Sequence, residues 1–149
     1  DVCSSDLAKK FRVSIVTPEK TAFEAEAVSV TLPGTEGYLG VWADHAPLVT
    51  ALVPGVVTVR EEERGAAGDA KFLAVSAGFV EVARNEVTVL SDTCELAGEI
   101  DINRAKRALE RAEKRLREHD LGTDLERARA AAERAEARLR VAYLRDGAK

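Results

Sequence analysis

At Glu99 the spacing of apolar residues changes, and with it the kind of structure the chain can form. Before that point, short segments alternate. Val28-Ser29-Val30-Thr31-Leu32 places Val28, Val30 and Leu32 on one face and Ser29 and Thr31 on the other, as in a strand buried on one side. After it, apolar residues recur every three or four positions: Ala105, Leu109, Ala112 and Leu116, then Leu125, Ala128, Ala132, Ala135, Leu139 and Ala142. That spacing is a helix with a narrow apolar seam. The chain therefore divides into an unassigned head (residues 1–10), a β-sandwich domain (11–98) and a helical hairpin domain (99–149).

In the first domain, Phe11 to Val16 stops at Pro18 and Val28 to Leu32 stops at Pro33-Gly34. Tyr38 to Trp42, Leu48 to Val53, Val56 to Arg60, Phe72 to Ser76, Phe79 to Ala83 and Val87 to Leu90 follow. About eight strands at spacings of roughly 8 to 12 residues, with no helix between them, predict an antiparallel sandwich or flattened barrel. Glu61 to Asp69, with Gly65 and Gly68, reads as a polar hairpin loop. The fold class is α+β: an N-terminal antiparallel β-sandwich, then a C-terminal antiparallel two-helix hairpin.

The two helices are joined by His119-Asp120-Leu121-Gly122, and Thr123-Asp124-Leu125-Glu126 matches a capping box with Thr123 as the cap. Ala dominates the seam, so little apolar area is buried per turn. At about 25 cal/mol per Å² such a hairpin is marginal by itself and is expected to undock, extend or exchange partners.

Charge follows the same division. Residues 99–149 hold fourteen Lys and Arg against eleven Asp and Glu, a net +3, so residues 1–98 hold −7 of the total −4. Halves of opposite sign face different partners. Nucleic-acid binding is disfavoured by the Glu residues interleaved among the arginines and by the acidic whole. No apolar run reaches the roughly 20 residues of a membrane helix, and the first residues lack the basic and apolar regions of a signal peptide. Cys3 and Cys94 read as free thiols in a reducing compartment. Catalysis by this chain alone is not expected: His45 and His119 are its only histidines, no Ser or Cys sits in a nucleophile motif, and no metal-ligand cluster is present.

The hexad Ile100-Asp101-Ile102-Asn103-Arg104-Ala105 opens the hairpin. Arg104 and Arg111 are seven apart and share a helix face, with the small Ala108 between them. Arg134 and Arg138 are four apart on the second helix. If these faces close together, four guanidinium forks surround one polyanion, for which arginine geometry is suited. The same residues also fit a simpler account, with Asp101 a helix N-cap and the arginines solvated or paired with Glu113, Glu126 or Glu133.

From about Phe11 to Leu144 the chain resembles the epsilon subunit of the proton-driven rotary ATP synthase. The matching segments are Pro33-Gly34-Thr35-Glu36-Gly37-Tyr38-Leu39-Gly40, Asp44-His45-Ala46-Pro47-Leu48, Ser76-Ala77-Gly78-Phe79-Val80-Glu81-Val82, Val87-Thr88-Val89-Leu90 and the hexad. The resemblance implies a non-catalytic central-stalk subunit, peripheral on the cytoplasmic face of the bacterial plasma membrane. Its sandwich would clamp the gamma subunit and touch the c-ring, with Glu36, Tyr38 and His45 at the ring-facing positions. Tyr38 stands where relatives often carry a carboxylate. The hairpin would inhibit ATP hydrolysis when extended and permit it when docked, its basic residues meeting the beta subunits. No cofactor is implied as required. ATP is implied as a regulatory ligand at Glu95, Ile100, Asp101, Arg104, Ala105, Arg111, Arg134 and Arg138. A sandwich with a rigid spacer and no regulation is the alternative.

Overall fold

The computed structural model describes residues 9–62, 70–118, 122 and 124–147, with the side chains of 145–147 excepted. Ten strands come first: β1 (Phe11–Val16), β2 (Thr21–Ala27), β3 (Ser29–Gly34), β4 (Gly37–Trp42), β5 (Leu48–Leu52), β6 (Gly55–Arg60), β7 (Ala70–Val75), β8 (Gly78–Ala83), β9 (Glu86–Ser91) and β10 (Cys94–Leu96). A 3-10 turn (Ala97–Glu99) leads to α1 (Ile102–Glu118) and α2 (Leu125–Gly147).

The strands run β10-β7-β6-β3-β5-β8-β9-β1-β2, with β4 hydrogen-bonded to β3. β3 pairs with β6 along Ser29 to Thr31 and with β5 at Gly34, so the sheet folds over at this strand into two layers. Alternation places Phe11, Val13 and Ile15 of β1, Val30 and Leu32 of β3, Val57 and Val59 of β6, and Val80, Val82, Val87 and Val89 of β8 and β9 inside. Each such side chain contributes about 1.5 to 3 kcal/mol by leaving water. Gly78 is needed where it stands, because a Cβ there would lie 1.9 Å from the Leu90 carbonyl oxygen.

The architecture is the expected one, with two strands more. β2 escapes the alternation pattern because Ala and Glu dominate its edge position, leaving only Ala27 buried. β10 has three residues, too few to show a period. One pairing is parallel, β1 with β9, with Arg12 opposite Glu86 and Val16 opposite Leu90. β6 and β7 pair from Arg60 and Ala70 outward, and residues 63–69 of the expected hairpin loop lie outside the described residues.

Asp101 caps α1: its Oδ1 accepts the Arg104 N–H at 3.0 Å, and its carbonyl accepts the Ala105 N–H. Asp124 caps α2. Asp124 Oδ1 accepts the Arg127 N–H at 3.1 Å, three residues on, and the helix begins one residue after it. Thr123 and residues 119–121 of the connection lie outside the described residues. Arg104 and Arg111 share one cleft with Arg138, while Arg115 shares a hollow with Arg127 and Ala128, so the helices are antiparallel. Ala105, Ala112, Ala128, Ala132, Ala135 and Ala142 are buried. Leu125, at the first turn of α2, leaves the seam and is 36% exposed.

The hairpin is docked on the sandwich. Ala137 and Val141 of α2 are buried against Val56 of β6 and Ala74 of β7, with Phe72, Ala97 and Ile100 packed around them. α2 thus uses two apolar faces, one toward α1 and one toward the sheet.

Candidate functional site

Docking closes a cleft of about 260 Å³ where β10, the 3-10 turn and the start of α1 meet α2. Each lining residue is held by a local device. Glu95 lies mid-strand in β10, opposite Ala74. Glu99 turns back so that its Oε2 accepts the Leu96 N–H at 3.1 Å, which fixes the 3-10 turn. Asp101 is positioned by its capping role. Arg104, Ala105, Ala108 and Arg111 project along one side of α1, where residues three, four and seven apart fall on one face. Arg138 reaches in from α2, its Nε donating to Glu95 Oε1 at 3.1 Å with both side chains about 30% exposed.

Three carboxylates (Glu95, Glu99, Asp101) thus face three guanidinium groups (Arg104, Arg111, Arg138), and the two alanines leave the free volume. Among the described residues, neither Arg104 nor Arg111 has an ion-pair partner. Their forks are available to an anion that enters the cleft. Beside it, burial, with Glu99 and Glu95 adding to the effect, pushes the Cys94 thiol up to about 11. Cys94 is a protonated packing group at neutral pH rather than a nucleophile.

Of the eight residues expected at this site, the structure brings six together: Glu95, Asp101, Arg104, Ala105, Arg111 and Arg138. Ile100 is instead drawn into the docking patch beside Val56 and Val141. Arg134 is half-buried one helical turn from Arg138 and does not line the cleft. Glu99 is the lining carboxylate that motif reading misses. Its only signal is its place three residues after Leu96.

The three other expected positions are dispersed. Glu36 is exposed in the two-residue turn between β3 and β4, next to Gly37, whose φ of +127° a side chain would strain. Tyr38 follows at the start of β4, its hydroxyl accepting from Val56 N–H at 3.3 Å and from Arg140 Nη1 at 3.4 Å. His45 lies in the β4–β5 connection, at the other end of β4, with Nδ1 2.7 Å from the Ala46 carbonyl.

A surface not anticipated from sequence lies on the opposite flank. Cross-strand neighbours Ala51, Phe79, Leu90 and Val16 form one row over β5, β8, β9 and β1. Phe79 and Leu90 are 58% and 52% exposed, and nearby Val49 is 70% exposed. A groove of about 650 Å³ runs beside them, past Pro18, Leu52 and Ala77. An apolar row of this extent marks a contact surface.

Family models for the ATP synthase delta/epsilon chain match both parts, the β-sandwich domain over residues 10–97 and the long α-helix domain over 99–142. The chain belongs to the ATP synthase delta/epsilon family. Within the family it is of the epsilon type. It is 50% identical to the ATP synthase epsilon chain of Moorella thermoacetica over 112 residues, which are 75% of this chain and 81% of that relative. It is 49% identical to the epsilon chain of Desulforamulus reducens, over 74% and 80% of the two chains. A chain of the Euglena gracilis mitochondrial ATP synthase OSCP/F1/c-ring assembly superposes with a TM-score of 0.75 at 24% identity, covering 93% of this chain and 84% of that one. A chain of the Tetrahymena thermophila central stalk and c-ring gives 0.51 at 15% identity, over 96% and 99%. At those identities the likeness is one of fold. Among the described residues of this epsilon-type chain, no helix is long and apolar enough to cross a membrane.

Proposed function

We propose that this chain is a non-catalytic central-stalk subunit that couples gamma to the c-ring during proton-driven ATP synthesis, and that its hairpin inhibits ATP hydrolysis when it leaves the docked position. ATP acts as the ligand that favours docking. The observation that carries this reading is the origin of the cleft's walls. Glu95 belongs to the sandwich, Arg104 and Arg111 to α1, and Arg138 to α2, so the binding surface exists only while the hairpin is folded and docked. An anion bound there stabilises that conformation over any extended one. At a hundred times its Kd, such a ligand adds about 2.7 kcal/mol.

The cleft as it stands is below the roughly 300 to 1,000 Å³ of pockets that enclose a drug-sized molecule. A nucleotide therefore engages with its phosphates on Arg104 and Arg111 and draws Arg138 away from Glu95. Two further features support the stalk role. The Val49, Phe79 and Leu90 face offers gamma an apolar contact, and the excess positive charge of residues 99–149 suits an acidic surface on the beta subunits. Glu36, Tyr38 and His45 are assigned to the c-ring side, and the subunit sits peripherally on the cytoplasmic face of the bacterial membrane.

The deciding experiment is ATP hydrolysis by the matching alpha-beta-gamma core, alone, with the full chain, and with a chain ending at Gly98. Inhibition by the full chain only is expected. Equal rates with both would leave an assembly subunit without a brake. Titration of the isolated chain with millimolar ATP should give binding heat, and its absence would remove ATP from the scheme.

A further inference from the structure

The tip of the β3–β4 hairpin has few side-chain anchors beyond the buried Pro33. Pro33 pairs with Tyr38 and Gly34 with Gly37, so one partner in the last two rungs has no N–H to donate and two have no side chain. β4 is bonded only to β3 and is an edge. Tyr38 is the one large side chain at this tip, and its hydroxyl is held from two sides.

The Val56 N–H of β6 donates to it at 3.3 Å, and Arg140 Nη1 of α2 donates at 3.4 Å. Gly55 makes room for this: a Cβ there would lie 2.6 Å from Pro33 Cβ and 3.1 Å from the Tyr38 hydroxyl. Arg140 precedes Val141, which is fully buried in the docking patch with Val56 itself. Arg140 can reach Tyr38 only while Val141 is seated on the sheet.

We propose that Tyr38 is a latch through which hairpin docking sets the freedom of the β3–β4 turn, so that the turn carrying Glu36 and the seating of α2 are thermodynamically linked. When α2 is seated, Arg140 orders the tyrosine ring and, through it, the Thr35-Glu36 turn. When α2 leaves, the backbone pairing of Pro33 and Gly34 with β4 and β5 remains, but the Tyr38 hydroxyl keeps only the Val56 contact. Linkage is reciprocal: a partner surface that takes the Tyr38 hydroxyl from Arg140 loosens the hairpin by the same factor. The latch operates whether or not the cleft at the hairpin base takes a nucleotide.

Amide hydrogen exchange on the full chain tests it, with Tyr38→Phe, Arg140→Gln and the double variant. Each single substitution should speed exchange both in residues 34–38 and in α2 around Val141 by about two- to tenfold, the net worth of one hydrogen bond. The double variant should be no faster than the faster single. Unchanged exchange in 34–38 for Arg140→Gln, unchanged exchange in α2 for Tyr38→Phe, effects that multiply in the double variant, or a rise shared by the β8 and β9 core amides would each overturn the latch.

Discussion

Val141→Ala should release the hairpin while leaving the sandwich intact. Val141 is fully buried, and its neighbours in the patch are Val56, Ala74 and Ala137. Removing two methyl groups forfeits about 1.6 kcal/mol of transfer free energy. If the patch does not collapse, about 50 Å³ of new space adds about 1.2 kcal/mol. Alanine is the better helix former, which returns up to about 0.6 kcal/mol. The net is about 2 kcal/mol, or roughly a thirtyfold larger undocked population. None of this burial belongs to the strand core, whose residues form a separate cluster. Trypsin is the natural probe, because α1 and α2 are rich in arginine, and at low protease the cleavage rate follows the population of the open form. The hairpin should be trimmed about thirtyfold faster, with a protected fragment ending near β10. An unchanged rate would refute the packing argument. Equal acceleration of cuts within the sandwich would show that hairpin and sheet open as one unit.

Gly78→Ala places a Cβ 1.9 Å from the Leu90 carbonyl oxygen. It should destabilise the sandwich by about 3 kcal/mol or more, read from the urea midpoint. Asp101→Ala should lower hairpin stability by about 1 kcal/mol through loss of the α1 cap, whereas Asp101→Asn should keep the cap and remove only the charge. Circular dichroism melts separate the two, and ATP titration of the Asn variant isolates the carboxylate's effect on binding. In a Cys3→Ser background, Cys94 should show thiolate absorbance only as pH nears about 11. The unfolded thiol ionises near its ordinary 9.0 and the folded one later, so the unfolded state binds fewer protons and stability falls as pH rises from about 9 to 11.

The strands that face the core were legible because alternation is a local signal, and Val28, Val30 and Leu32 are buried as their spacing requires. The parallel β1–β9 pair was not, since neither strand carries any mark of which distant partner it meets. Thr123 and Asp124 are adjacent residues that both favour the N-cap position, so the local pattern is ambiguous by one position. The cleft shows the same boundary. Arg104 and Arg111 follow from helical spacing on one element, whereas Asp101 and Ala105 come with the family resemblance. Which of Arg134 and Arg138 enters depends on the rotation of α2. That rotation is set by seating Ala137 and Val141 on the sheet, a contact between elements that are far apart in sequence. Ile100 is apolar and goes to the same patch for the same reason.

The parallel pairing of β1 with β9 also governs how the chain can be made. β1 is made before β9, and Arg12 waits for Glu86, 74 residues later. At 5 to 20 residues per second that delay is about 4 to 15 s. Through it β1 has only β2 beside it, and Phe11, Val13 and Ile15 stay open to chaperones. The sandwich is sealed by a late strand rather than grown outward from β1.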